Sequence, residues 1–224
     1  MSLEAPNGRT RVRRHPERAR YDRETVFSIL DEALICHLGV VDAGTPFVLP
    51  TMYARAGETI YIHGAPASRM LKTSRSGIDV CLTVTLLDGL VMARSVFSHS
   101  MNYRSVMVVG RAEEVTEQEE KLLASRALVE HVCRGRWAEA RQPSLKELAA
   151  TLILRLELSE VSAKVRAGGP LDKEEDLPLA VWAGEIPLRM VALAPITHDA
   201  VPEGTAVPGY AEPYRRPGWT EPAG

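Results

Sequence analysis

The stretch from Leu34 to His63, LICHLGVVDAGTPFVLPTMYARAGETIYIH, decides the fold class. Three runs rich in apolar and β-branched residues, Leu34 to Val41, Phe47 to Tyr53 and Thr59 to His63, are separated by Gly44-Thr45 and by Ala56-Gly57-Glu58. Those separators reverse a chain within a few residues, so the stretch predicts an antiparallel meander. Pro50 lies inside the second run and has no backbone N–H to give a ladder. It therefore predicts a sheet edge or a bulge where main-chain groups are free for another partner.

The same reading extends outward in both directions. Upstream, Asp22 is a good N-cap, Glu24 complements the first turn, and Val26, Ile29, Leu30, Ala33 and Leu34 recur at helical spacing. Downstream, Gly64-Ala65-Pro66 breaks the third strand and Ser68 to Thr73 predicts one short helix. Ile78, Val80, Leu82, Val84 and Leu86 then alternate with Cys81, Thr83 and Thr85, as a two-faced strand requires. Asp88-Gly89 predicts a tight hairpin into Leu90 to Phe97, and Ser105 to Val115 a further strand. Thr116 with Glu119 reads as a capping box opening a helix that ends at Gly135, and Ser144 with Glu147 as a second box. Ile153 to Val165 is one last strand. Six or more strands in nearly continuous order, with helices inserted late, predict an α+β protein built round an antiparallel barrel with peripheral helices.

The ends differ from this middle. Residues 1–20 carry Arg9, Arg11, Arg13, Arg14, Arg18 and Arg20 with almost nothing apolar, and read as a basic arm, solvated, wrapped on a partner or binding phosphate. From Pro195 onward six of the 15 prolines fall in the last stretch of chain, which predicts an extended tail without its own core. The expected organisation is an arm (1–20), one domain (21–194) and a tail (195–224).

Composition narrows the function. With 27 basic and 29 acidic side chains in 224 residues the net charge is -2, so the electrostatic pull that nucleic-acid binders rely on is missing. An aromatic content of 5% argues against stacking of single strands. No apolar run reaches the roughly 18 residues of a membrane span, and the arm has no signal-peptide core, so a cytoplasmic chain without a membrane partner is expected. Cys36, Cys81 and Cys133 are odd in number and widely spaced, as reduced structural thiols are. Cys36 and His37 face opposite sides of a strand, and His131 and Cys133 opposite sides of a helix, so neither pair nucleates a metal site. No phosphate-cradling glycine loop and no nucleophile elbow is present.

Three clusters carry the chemistry that remains. Pro50, Thr51, Met52 and Tyr53 with His63 and Gly64 line two neighbouring strands, where free backbone groups suit a flat polar ligand. Ser68, Arg69 and Lys72 at the start of the short helix suit a phosphate, or form the solvated face of a surface turn. Ser98 to Val106, with Arg104 and Ser105, reads either as a polar strand entry with a binding role or as an ordinary loop.

In this order the clusters resemble the pyridoxamine 5'-phosphate oxidase-like superfamily of FMN-binding split barrels, in its flavin-nucleotide-binding, nitroimidazole-resistance-type branch. The likeness rests on Leu49 to Tyr53, Tyr61-Ile62-His63-Gly64, Ser68 to Lys72, Met101 to Val106 and Val109-Gly110-Arg111-Ala112. Later, Ser162 to Arg166 and Val181 to Leu188 look like the branch's final strand and tryptophan motif, so the match spans roughly residues 10–190. It implies a split β-barrel homodimer with FMN at the subunit interface. Pro50, Thr51, Met52 and Tyr53 become ring-edge contacts, His63 and Gly64 neighbours of the ring or ribityl chain, and Ser68, Arg69 and Lys72 the phosphate clamp. Arg104 and Ser105 would reach the flavin from the other protomer, and Trp182 would close the site across the dimer. The implied activity is FMN-dependent reduction of a small organic acceptor, such as a nitroaromatic. His63 is then either the proton donor that steers substrate or a hydrogen-bonded strand residue. Two other readings are FMN storage or sensing without turnover, and haem binding through a ligand such as His63 or His99. The oxidase branch's basic C-terminal pattern does not map onto Arg189 or the tail, so pyridoxamine 5'-phosphate is not the expected substrate.

Overall fold

Asp22 opens the first helix as its sequence requires: the carboxylate accepts from the backbone N–H of Thr25 at 2.8 Å and holds helix α1 (Arg23–Glu32) at its start. The computed structural model describes residues 8–64, 77, 79–212 and 214–216. Val26, Ile29 and Leu30, at helical spacing, are fully buried, and the phenol of Tyr53 donates to Leu30 O at 2.6 Å.

Ten strands form one antiparallel sheet among the described residues: β1 (Ala19–Arg20), β2 (Ile35–Asp42), β3 (Thr45–Ala56), β4 (Thr59–Gly64), β5 (Asp79–Met92), β6 (Ser100–Arg111), β7 (Glu113–Glu114), β8 (Leu152–Glu157), β9 (Glu160–Arg166) and β10 (Gly184–Pro187). The spatial order is β1-β9-β6-β5-β2-β3-β4-β8-β7, with β10 added to β5. This is an open, split β-barrel. The split lies within one strand. Thr45 to Met52 of β3 pair with β2, whereas Tyr53 to Ala56 pair with β4, so β3 passes from one half of the sheet to the other between Met52 and Tyr53. Inside, Leu38, Ile60, Leu82, Val84, Val108 and Leu154 form the core with α1. Alternation in β5 is as the sequence predicts, with Val80, Leu82 and Val84 buried; Ile78 lies outside the described residues.

Four expectations are corrected. Asp88-Gly89 is a bulge within one continuous strand, because the register shifts between Leu87 and Gly89 while pairing with β6 continues to Val91. The residues suit that role: Arg104 grips the Asp88 carboxylate, and a Cβ on Gly89 would stand 3.1 Å from the Ile186 carbonyl oxygen of β10. Second, Ile153 to Val165 is two strands, β8 and β9, which turn at residues 158–159 and pair with different neighbours, β4 and β6. Third, Thr116 forms no capping box; helix α2 (Gln118–Val132) starts at an N-cap Glu117 that makes no side-chain cap. Finally, α2 stops at Val132, and Gly135, at φ 94°, instead leads into the short α3 (Arg136–Glu139). The Ser144–Glu147 box is formed and opens α4 (Leu145–Ala150).

The first and the last described segments both contact the barrel. Ala19 and Arg20 pair with Lys164 and Ala163 of β9, and Arg9 is ion-paired to Glu160 and Asp79. In the extended tail the Arg216 guanidinium is 5% exposed and donates to the carbonyls of Asp31, Glu32, Ala33 and His131. One side chain thus satisfies the open C-terminal carbonyls of α1 and a last-turn carbonyl of α2.

Candidate functional site

The split in β3 creates an opening where the sequence expected one. Pro50 sits opposite His37 of β2, is exposed, and lies in the half of β3 that, among the described residues, pairs on one side only. Thr51 and Met52 are half-buried beside it. Tyr53 differs from them: its side chain is fully buried and its hydroxyl is spent on α1, so the ring faces the core and away from the open edge.

Across the split, Tyr53 opposite Ile62 is the last β3–β4 pair in this direction, and His63 and Gly64 pair instead with Ile153 and Leu152 of β8. The His63 ring is half-buried. Its Nδ1 is inaccessible to solvent and has no hydrogen-bond partner among the described residues. Burial lowers the imidazole pKa below the ordinary histidine value and keeps the ring neutral, able to accept or to donate at that nitrogen. An unpartnered buried polar atom costs free energy unless something pairs with it. Ser68, Arg69 and Lys72, which follow β4, lie outside the described residues.

Arg104 and Ser105 stand beyond β5, on β6, whereas Trp182 leads into β10, which pairs with the opposite edge of β5. Arg104 on β6 is held by two carboxylates: Asp88 through Nε at 2.9 Å and Nη2 at 2.7 Å, and Glu32 through Nη1 and Nη2. The Asp88 bonds, then those of Glu32, raise the guanidinium's pKa well above its usual value. The Ser105 hydroxyl donates to Lys164 O at 3.4 Å. Trp182 is 63% exposed and its ring lies so close to Gly184 that a Cβ there would be 3.0 Å from Cζ2. The fold therefore brings 50–52 near 63–64, and leaves Arg104, opposite Leu86, and Trp182, before Gly184 and its partner Met92, on different edges and at different heights of β5.

The braces around this region were not legible in the sequence. Arg166 donates to Asn102 and to the carbonyls of Gly168 and Gly169, and Asn102 donates to Glu185 of β10 at 2.5 Å. Arg94 and Asp172 pair at 2.7 Å. Behind α1 and α2 a cavity of about 560 Å³ is lined by Asp31, Arg55, Glu130, His131, Arg134 and Arg216, among others. His131 stacks on Tyr53 with ring centroids 5.0 Å apart, and its Nε2 lies 2.8 Å from Ala33 O. Burial, and then the Arg216 charge, push its pKa down to about 4. Among the described residues no group of three or more His, Cys, Asp or Glu side chains gathers as metal ligands, and no helix is long and apolar enough to cross a membrane.

The profile of the family described as pyridoxamine 5'-phosphate oxidase matches residues 22–165, which is more than half of the chain and contains both strands of the split. The chain belongs to the pyridoxamine 5'-phosphate oxidase family. Among solved structures, this member of the family is similar to the flavocytochrome Anf3 from Azotobacter vinelandii, with 42% identity, 95% of this chain and 99% of the other covered, and a TM-score of 0.89. It is also similar to an FAD and haem binding protein from Mycobacterium smegmatis, with 34% identity over 87% of this chain and 96% of the other, at a TM-score of 0.84. A protein proposed to confer 5-nitroimidazole antibiotic resistance, from Bacteroides thetaiotaomicron VPI-5482, shares the fold at 24% identity over 66% of this chain and 86% of the other, TM-score 0.56. Among curated proteins nothing matches the sequence.

Proposed function

We propose that this chain is a flavin-binding redox protein of the flavocytochrome type, a homodimer that carries a flavin at the subunit interface and a haem, and that acts on a small organic molecule. The observation that supports this most is the 42% identity to a flavocytochrome over 95% of the chain, because likeness at that level extends well past the barrel that all relatives share. The dinucleotide FAD is the better reading than the FMN expected from sequence, since the second relative above 30% identity is named for FAD and haem. Turnover of a nitroaromatic has no comparable support, for the nitroimidazole-type neighbour shares only the fold.

The split fits a flavin. The ring's polar edge needs backbone or side-chain partners at one fixed place, and the free edge of β3 at Pro50 to Met52 offers the first while His63 offers an unpaired Nδ1. A bound flavin supplies two-electron and one-electron transfer, and a haem one-electron transfer. This chain's residues hold, orient and shield. The clamp carried over by resemblance, Ser68, Arg69 and Lys72, binds phosphate, Met52 limits solvent, and His63 holds a proton at Nδ1 or leaves it free to accept. Arg104 is a positioning residue here, since its donors are engaged with Glu32 and Asp88.

For haem, two histidines are candidates, and their hydrogen bonding favours one of them. His99 Nδ1 accepts the Ala93 backbone N–H at 3.3 Å, which places the proton of the neutral ring on Nε2, where it blocks coordination. His63 is then the candidate of the two, and through Nε2, its buried Nδ1 being the nitrogen that serves the flavin. The deciding measurement is the visible spectrum of the purified protein, with mass identification of the released chromophores. FAD together with a Soret band is the expected result; FMN alone would return the reading to a simple flavoprotein, and a colourless protein that refuses both groups would overturn it. Bleaching of the flavin band by NADH or NADPH separates a redox enzyme from a storage protein.

A further inference from the structure

Two apolar surfaces of this chain stay uncovered although each is held in a defined place. The first is the outer face of the β2–β3 hairpin. The register sets residues 35, 37, 39 and 41 beside 52, 50, 48 and 46, a face without a single Asp, Glu, Lys or Arg. On it Ile35 is 54%, Val41 57% and Val48 66% exposed. The second is the strap that follows β10. From Leu188 to Ile196 it carries one charge, Arg189, and forms no helix or strand, while Met190, Leu193 and Ile196 are 72%, 85% and 98% exposed.

Its root is firm. Pro187 to Gly184 pair with Gly89 to Met92 of β5, Leu188 N donates to Asp88 O at 3.0 Å, and Glu185 accepts from Asn102. An extended apolar strap so anchored, with no cover of its own, is a surface waiting for a partner.

We infer that the strap of one chain lies across the outer β2–β3 face of a second copy, with the reciprocal contact made by the other strap. The inference rests on the homodimer reading and specifies what joins the two chains. A second copy is the occupant because it supplies the missing complement twice over: a closed two-fold pairs each strap with one face and leaves neither surface exposed. Lipid is disfavoured by the charges, since strap and face together carry a single arginine where an anionic membrane selects basic clusters. The net charge of -2 sets little repulsion against self-association.

The test uses the full-length, chromophore-loaded protein. Chains carrying Leu193→Cys alone and Val48→Cys alone, differing in a size tag, are mixed and treated with a short bismaleimide, with the unsubstituted protein as control for its own Cys81 and Cys133. A cross-link that joins the two differently tagged chains is expected. In parallel, the double variant Leu193→Asp with Ile196→Asp changes side chains that are exposed within the single chain, so circular dichroism should be unchanged while the dimer dissociates roughly ten-fold more readily or further. A dimer by sedimentation that shows no cross-link between chains, or only one within a chain, overturns the strap inference and leaves the homodimer standing. A wild-type monomer at micromolar concentration overturns both, and one that co-sediments with phosphatidylcholine vesicles assigns the strap to lipid instead.

Discussion

The C-terminal end of α1 and the split between β3 and β4 treat buried polar groups in opposite ways. At the first, every group has a partner. The Glu32 carboxylate, 8% exposed, meets Arg104, the carbonyls of residues 31–33 meet Arg216, and His131 meets Ala33. At the second, Pro50 lies in the part of β3 that pairs with β2 alone among the described residues, and His63 keeps a buried nitrogen without a partner among them. Both histidines are buried enough to lose basicity, yet one is part of a brace and the other keeps a ring nitrogen that no described residue meets. A perturbed pKa is therefore common to a satisfied brace and to an unsatisfied atom, and only the second calls for a further partner.

The largest effect should come from breaking the brace. Arg104→Ala leaves the Glu32 carboxylate buried without its cation and should cost about 3–5 kcal/mol in urea denaturation. Were Arg104 instead mainly a flavin ligand, stability would barely change and chromophore content would fall. His131 gives the next largest effect through pH. Its folded pKa of about 4 lies below the unfolded 6.5, so below pH 6.5 the unfolded chain takes up a proton that the folded chain refuses. Stability should therefore fall on the order of 3 kcal/mol as pH drops from 6.5 to 4. His131→Phe should flatten that part of the profile, and an unchanged slope would remove His131 from the brace.

Smaller is the expected cost of Gly89→Ala, which sets a methyl group against the Ile186 carbonyl and should loosen β10 by about 1–3 kcal/mol. Hydrogen exchange would locate the loss at the amides of Glu185, Ile186 and Leu188. Smallest in stability, and most informative, is His63→Ala: within about 1 kcal/mol of wild type, because no hydrogen bond of its Nδ1 is lost, but with an altered or absent chromophore spectrum. A destabilised protein with an unchanged spectrum would place His63 among the braces.

The strands of the meander, the Asp22 cap and the Ser144 box were legible because the signals are local: alternation, a capping side chain three residues from its N–H, a proline that cannot donate. Pro50 and His63 stood out as candidates for the same reason, being features of single strands that lie close together in sequence, and the structure sets them on the two sides of the split. Asp88-Gly89 misled because a bulge and a hairpin use the same residues, and what chose between them was the approach of β10, nearly a hundred positions later. Tyr53 misled because strand register, not residue type, turned its ring towards α1.

By itself the sequence determined the fold class, the family and the place along the chain where the ladder opens, since each follows from neighbours in the chain and from the order of short motifs. Only the tertiary structure decided which charged residues are braces and which are free. Arg104 finds Glu32 across 72 positions and Arg216 finds the end of α1 across 183 to 185, pairings that no local pattern encodes because they exist only after the sheet has closed around its core.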